Sequence, residues 1–162
     1  MLRVIVNSTP LITLSHIGKI ELLRQLYHEI YIPEAVYQEV TKKNDIACEA
    51  LNKSLDWIHV VPIQHPENYA MYHAKLHAGE VEVMILAQET PRADKVIIDD
   101  NAAKKTAKFL GLSVVGTMGI LVKAKQSGLI PEVAPLLEAI RDNGFYISDS
   151  VRRIVLEQAD EI

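Results

Sequence analysis

The sequence predicts an α/β fold, a three-layer α/β/α sandwich around a central, mostly parallel sheet. Short apolar runs rich in β-branched residues recur (Val4-Ile5-Val6, Ile30-Tyr31-Ile32, Val96-Ile97-Ile98). They are too brief for helices and lack the polar alternation of a half-solvated strand, which marks strands covered on both faces. Stretches of helical spacing lie between them, so strand and helix alternate as in sheets built from crossover connections. The length of 162 residues with 49% hydrophobic content suits one domain over 1–162 with a full core.

Arg3–Val6 opens as a strand, and Pro10–Leu26 carries helical spacing broken near Gly18. Ile30–Ile32 is a strand ended by Pro33, whose fixed φ suits the first turn of a helix over Glu34–Thr41. A helix over Ile46–Leu55 and a strand over Trp57–Val61 follow. Glu67–His77 reads as helical, Gly79 resets the chain, and Glu80–Gln88 forms the next helix. Lys95–Ile98 is the clearest buried strand, and a helix from Asn101 to Leu110 follows it, ended by Gly111. Ser113–Val115 is the last strand, and helices over Met118–Ser127, Pro131–Asp142 and Asp149–Ala159 complete the chain. No Gly/Ser linker, repeat or low-complexity tract divides it.

Composition excludes several classes. A charged content of 23% is that of an ordinary globular protein rather than a disordered one. The single cysteine, Cys48, excludes an internal disulfide and fits a reducing cytoplasm, the expected location. The apolar start is interrupted by Arg3, Asn7, Pro10 and His16, and no run reaches the ~18 apolar residues of a membrane span. The net charge of −4 argues against bulk electrostatic attachment to nucleic acid. The distribution is more telling. From Asn101 to Lys125 there are five lysines (Lys104, Lys105, Lys108, Lys123, Lys125) and no acid, directly after Asp99-Asp100. Such a stretch is either a set of solvated helix faces or a row of phosphate contacts.

In open parallel sheets ligands bind beyond the carboxyl ends of the strands. Val4-Ile5-Val6 runs into Asn7-Ser8-Thr9, Val96-Ile97-Ile98 into Asp99-Asp100-Asn101, and Val114-Val115 into Gly116-Thr117. Each of these residues is also a good helix N-cap when taken singly. Three oxygen-rich strand ends on one edge favour a site. Glu39, on the helix after Pro33, and Glu80, which opens a helix, bring two more acids. Their plain alternatives are a solvated face and a first-turn acid facing the helix dipole. Clustered oxygen ligands without cysteine suit hard cations such as Mg²⁺ or Mn²⁺, which in turn suit phosphodiester chemistry.

The stretches IVNSTPLITLSHIGKIELL, YIPEAVYQEV, GEVEVMILA, VIIDDNAAKKTAKFLGLSVVGTMGILVKAKQSGLI and PLLEAIRDNGFYIS together span nearly the whole chain. In these the sequence resembles the PIN-domain superfamily, and within it the prokaryotic branch DUF3368. The resemblance implies a metal-dependent ribonuclease, with Mg²⁺ or Mn²⁺ at Asn7, Glu39, Glu80 and Asp99. Asp100 and Glu82 stand as neighbours, and Ser8 and Thr117 as small hydroxyl positions beside the metal. It implies Glu39, Glu80 and Asp99 as the catalytic acids and single-stranded or looped RNA as substrate, with Lys104, Lys105, Lys108, Lys123 and Lys125 available to phosphates. A toxin role with a cognate antitoxin protein, and a homodimer, are further implications.

The sequence departs from the family at Asn7, where aspartate is usual. Asparagine offers a neutral carbonyl oxygen, so it can still touch a metal. Losing one negative charge beside a dication costs on the order of 1–4 kcal/mol at an effective dielectric of about 20, roughly tenfold to a thousandfold in affinity. Two functional expectations follow: a weakened Mg/Mn-dependent endoribonuclease, or a catalytically impaired PIN domain that binds RNA or a partner protein. A phosphoryl-accepting receiver domain fails on order, because its acidic pair belongs at the first strand. His73 and His77 are four apart with Glu80 beyond, a zinc-like spacing, but the glutamate of an HExxH pattern is missing. No GxGxxG or Walker-type loop supports a nucleotide cofactor.

Overall fold

The computed structural model describes residues 3–72, 76–91 and 93–162. Strands β1 (Arg3–Val6), β2 (Ile30–Pro33), β3 (Ile58–Val61), β4 (Ala93–Ile97) and β5 (Ser113–Val115) form one sheet in the order β3-β2-β1-β4-β5. All neighbouring pairs are parallel, with Ile5 opposite Tyr31 on one side and Val96 on the other. Parallel strands need crossovers, and helices on both faces supply them. These are α1 (Ser8–His16), α2 (Glu21–Tyr27), α3 (Glu34–Thr41), α4 (Ile46–Asn52), α5 (Ala78–Glu89), α6 (Asn101–Phe109), α7 (Thr117–Gln126), α8 (Ala134–Asp142) and α9 (Asp149–Gln158). The three-layer α/β/α architecture is the one the sequence predicts.

The central strands are apolar on both faces because both faces are covered. Ile5, Val6, Val96 and Ile97 have no exposed surface, and they meet Leu11, Leu14, Met84 and Ile85 from the helices in one core. Among the described residues no helix is long and apolar enough to cross a membrane.

Two expectations about elements need correction. Gly79 does not interrupt the chain but lies inside the first turn of α5, which starts at Ala78. The N-cap residue His77 supplies the start signal instead, its N–H donating to the Glu80 carboxylate three residues on. The expected helix over Glu67–His77 is a 3₁₀ helix over Pro66–Met71. Residues 73–75 of that expectation lie outside the described residues.

Candidate functional site

From β1 the chain moves through β2 to β3, then returns to the other side of β1 as β4 and β5. The connections leaving β1 and β4 therefore diverge, and a crevice opens at the carboxyl ends of those two strands. Asn7 follows β1 directly, and its N–H donates to Ile97 O at 2.9 Å, which ties the two strand ends together. Asn7 occupies the N-cap position of α1, yet its side chain makes no capping bond. The residue is 3% exposed, and Oδ1 is buried without a hydrogen-bond partner. A buried unpaired carbonyl costs about 1–3 kcal/mol, which makes Asn7 Oδ1, at the crevice, a candidate ligand atom.

Glu39 and the first turn of α5 complete this corner. A methyl group at Gly79 would lie 2.7 Å from Glu39 Oε2 and 3.6 Å from Asn7 Oδ1. Glycine thus leaves room for two oxygens, from α3 and from the end of β1, to flank one spot. Glu80 is 6% exposed and accepts from the His77 N–H at 2.9 Å. Burial pushes its carboxyl above the usual glutamate range; the charges of Asp100 and Glu39 push the same way, and the His77 N–H opposes them. Glu82 faces elsewhere. It accepts from Ala35 N–H at 3.1 Å and from Tyr69 O–H at 2.6 Å, so it fixes the start of α3, the helix that carries Glu39.

The raised Glu80 carboxyl has a consequence for stability. The native state holds this proton at pH values where the unfolded chain has lost it. Metal-free stability therefore falls as pH rises from the ordinary glutamate value through the raised one. Glu80→Gln keeps an acceptor for His77 N–H and is expected to remove that slope. It should also raise the metal-free melting temperature at pH 7 by a few degrees, at roughly 2–4 °C per kcal/mol. Thermal melts from pH 4 to 8 in EDTA check this; an unchanged slope would mean that another group titrates.

Asp99 is spent differently. Thr117 N–H donates to its Oδ1 at 2.7 Å and Thr117 O–H to its Oδ2 at 2.6 Å, which pins the start of α7 to the end of β4. A methyl group at Gly116 would lie 2.8 Å from Asp99 Oδ1 and 3.1 Å from Lys104 Nζ, so the carboxylate and the ammonium both flank position 116. Asp100 caps α6 by accepting from Ala103 N–H at 2.9 Å, and it is the strand-end acid whose charge Glu80 feels. The expected convergence of Asn7, Glu80 and Asp99 therefore resolves into two adjoining groups. Asn7 and Glu39 flank Gly79, with Glu80 within electrostatic reach of Glu39 and Asp100; Asp99 is bonded to Thr117 and has Lys104 nearby. Ser8 is buried at the start of α1, beside Asn7. Among the described residues, no three His, Cys, Asp or Glu side chains are grouped to hold a metal ion.

The five lysines divide likewise. Lys104 reaches the strand-end edge, and Lys105 and Lys108 are exposed on α6. Lys123 and Lys125 lie in the last turn of α7, about 9–12 Å along the helix from its start at Thr117. Lys123 lies over the Tyr27 ring (5.1 Å) with Lys95, whose ammonium holds the Lys123 pKa below the usual lysine value. Lys125 donates to Ala159 O at 2.5 Å and pairs with Glu161 at 3.2 Å, which fastens the C-terminal end of α9. The structure does not bring Lys123 or Lys125 to the crevice, because charge content says nothing about which end of a helix faces the site. Gly79 was missed as a close-approach position because a glycine near a helix start reads equally as a break.

A doubly wound parallel domain with oxygen side chains at its switch point is the class that fold and crevice define. A family model described as DUF3368, a PIN domain, matches residues 3–161, and the chain belongs to this family. No curated protein and no solved structure matches it. Membership carries a nuclease-like fold, in a family whose members typically use divalent metal ions.

Proposed function

We propose that this protein is a divalent-metal-dependent endoribonuclease attenuated at Asn7. The observation that carries this reading is the buried, unpartnered Asn7 Oδ1 beside Glu39 Oε2 over the bare first turn of α5. The donor set fits a hard cation. It is all oxygen, and it includes a desolvated carboxyl, Glu80, under the repulsion of two others. Asn7, Glu39, Glu80 and Asp100 would hold Mg²⁺ or Mn²⁺. When bound, such a cation lowers the pKa of a coordinated water and stabilises charge on the phosphate oxygens.

The remaining roles belong to the chain. Lys104 supplies a phosphate contact at the edge of the acidic group, which would otherwise repel RNA. Asp99 holds the start of α7 through Thr117, so the positive end of that helix dipole faces the same edge. A carboxylate of the group orients the attacking water. Single-stranded or looped RNA is the substrate class, because its bases can be splayed away from a cleaved phosphate. A cognate antitoxin and a second copy of the chain are the partners this reading expects.

The neutral side chain of Asn7 supports a second reading, a non-catalytic module that binds RNA. End-labelled single-stranded RNA incubated with the protein separates the two. The nuclease reading expects cleavage in millimolar Mn²⁺, none in EDTA, and none for Glu80→Gln. RNA bound equally tightly with and without EDTA, and never cut, would establish the binding module. Binding to the native state also predicts a rise of a few degrees in melting temperature in Mn²⁺ for the wild type, absent in Glu80→Gln.

A further inference from the structure

Beside the acidic group lies a cleft of about 400 Å³ that the cation reading does not use. Asp99, Lys104 and Thr117 line it on the side of the candidate site, with Met118 of α7 next to Thr117, and Phe145 and Tyr146 line the far side. The far wall is the segment between α8 and α9, and it is firmly held. Gly144 turns the chain at φ 87°, and Phe145 N–H donates back to Ile140 O at 3.2 Å. Phe145 packs edge-on against His16 with ring centroids 5.6 Å apart. The Arg141 guanidinium donates to Ile147 O at 3.0 Å and to Asp149 at 3.1 Å, and Ser148 caps α9.

Tyr146 stands in the middle of this pinned backbone and is 90% exposed. A single exposed aromatic is ordinary. This one is held by neighbours on both sides and lines a cleft whose opposite wall carries an ammonium, a carboxylate and a threonine. A flat aromatic face and a cation for the adjoining phosphate are elements that recognise an unstacked nucleobase. The volume admits one base with its sugar, not a duplex.

We propose that this cleft binds one splayed nucleobase of the RNA, stacked on Tyr146, with its phosphate at Lys104 and the neighbouring phosphate at the acidic group. The proposal rests on the RNA-cleaving reading and adds the subsite that selects which linkage is presented. Stacking on one aromatic contributes roughly 5- to 150-fold in affinity by alanine substitution.

The test is fluorescence anisotropy with a labelled single-stranded RNA octamer in Mg²⁺, with the RNA checked for intactness, alongside a set of octamers each carrying one abasic position. Tyr146→Ala is expected to weaken the intact octamer about 5- to 150-fold with an unchanged melting temperature, and Tyr146→Phe to bind as the wild type does. One abasic position should cost the wild type a similar factor and cost Tyr146→Ala nothing more. If wild type and Tyr146→Ala bind RNA alike, the base subsite is wrong; cleavage of RNA in Mn²⁺ by both would leave the nuclease reading standing. If the wild type binds no RNA at all, both fall together.

Discussion

Asn7→Asp is expected to tighten Mn²⁺ binding by roughly tenfold to a thousandfold and to raise single-stranded RNA cleavage with it. The two side chains have nearly the same size, and the Asn7 backbone bond to Ile97 O does not involve the substituted atoms. Packing at the strand ends should therefore hardly change. What changes is charge. A carboxylate would join Glu39, Glu80 and Asp100 at a crevice where Glu80 already resists ionisation. Without metal the added repulsion lowers the melting temperature slightly; with metal the fourth acid strengthens the pull on the cation. The opposite signs are the useful feature, because a packing defect would lower stability under both conditions. Calorimetric titration with Mn²⁺ and melts with and without EDTA read both terms. An Asn7→Asp protein that binds metal no better and cuts nothing would show that the site has lost more than one charge, and the binding-module reading would replace the nuclease.

The fold was legible in the sequence for a simple physical reason. Strands buried on both faces must be apolar throughout, so Val4–Val6 and Val96–Ile98 declared themselves, and the alternation with helices left parallel pairing as the economical arrangement. The strand-end rule then located Asn7, Asp99 and Asp100 at one edge without any knowledge of which strands were neighbours. It could not say how the two aspartates divide their work. Adjacent residues at a strand end point in different directions, and which one meets Thr117 depends on a helix that begins 18 residues later. Nor could it place Lys123 and Lys125, whose partners Tyr27 and Glu161 are remote in sequence. The aromatic pair Phe145-Tyr146 lay in plain view, but the pinning of its backbone by Arg141 and Ile140 is a tertiary fact.

The division between Asp99 and Asp100 yields the second large effect. Asp99→Ala removes both acceptors of Thr117, which is 2% exposed, and leaves a buried N–H and hydroxyl unpaired where β4 meets α7. Charge-assisted bonds of this kind make the expected loss about 2–4 kcal/mol, or roughly 5–15 °C in melting temperature. Asp99→Asn keeps an oxygen for the Thr117 N–H and turns an amide donor to the hydroxyl, so it should cost only about 1 kcal/mol. Asp100→Asn behaves the other way round. Asparagine caps a helix as well as aspartate does, so α6 keeps its bond from Ala103 N–H and stability holds or rises slightly. The charge facing Glu80 is gone, however, and Mn²⁺ affinity should fall tenfold or more, on the electrostatic scale used for Asn7. Melting curves in EDTA and metal titrations of the three variants separate the roles. If Asp99→Asn loses as much metal affinity as Asp100→Asn, Asp99 leaves Thr117 to join the cation.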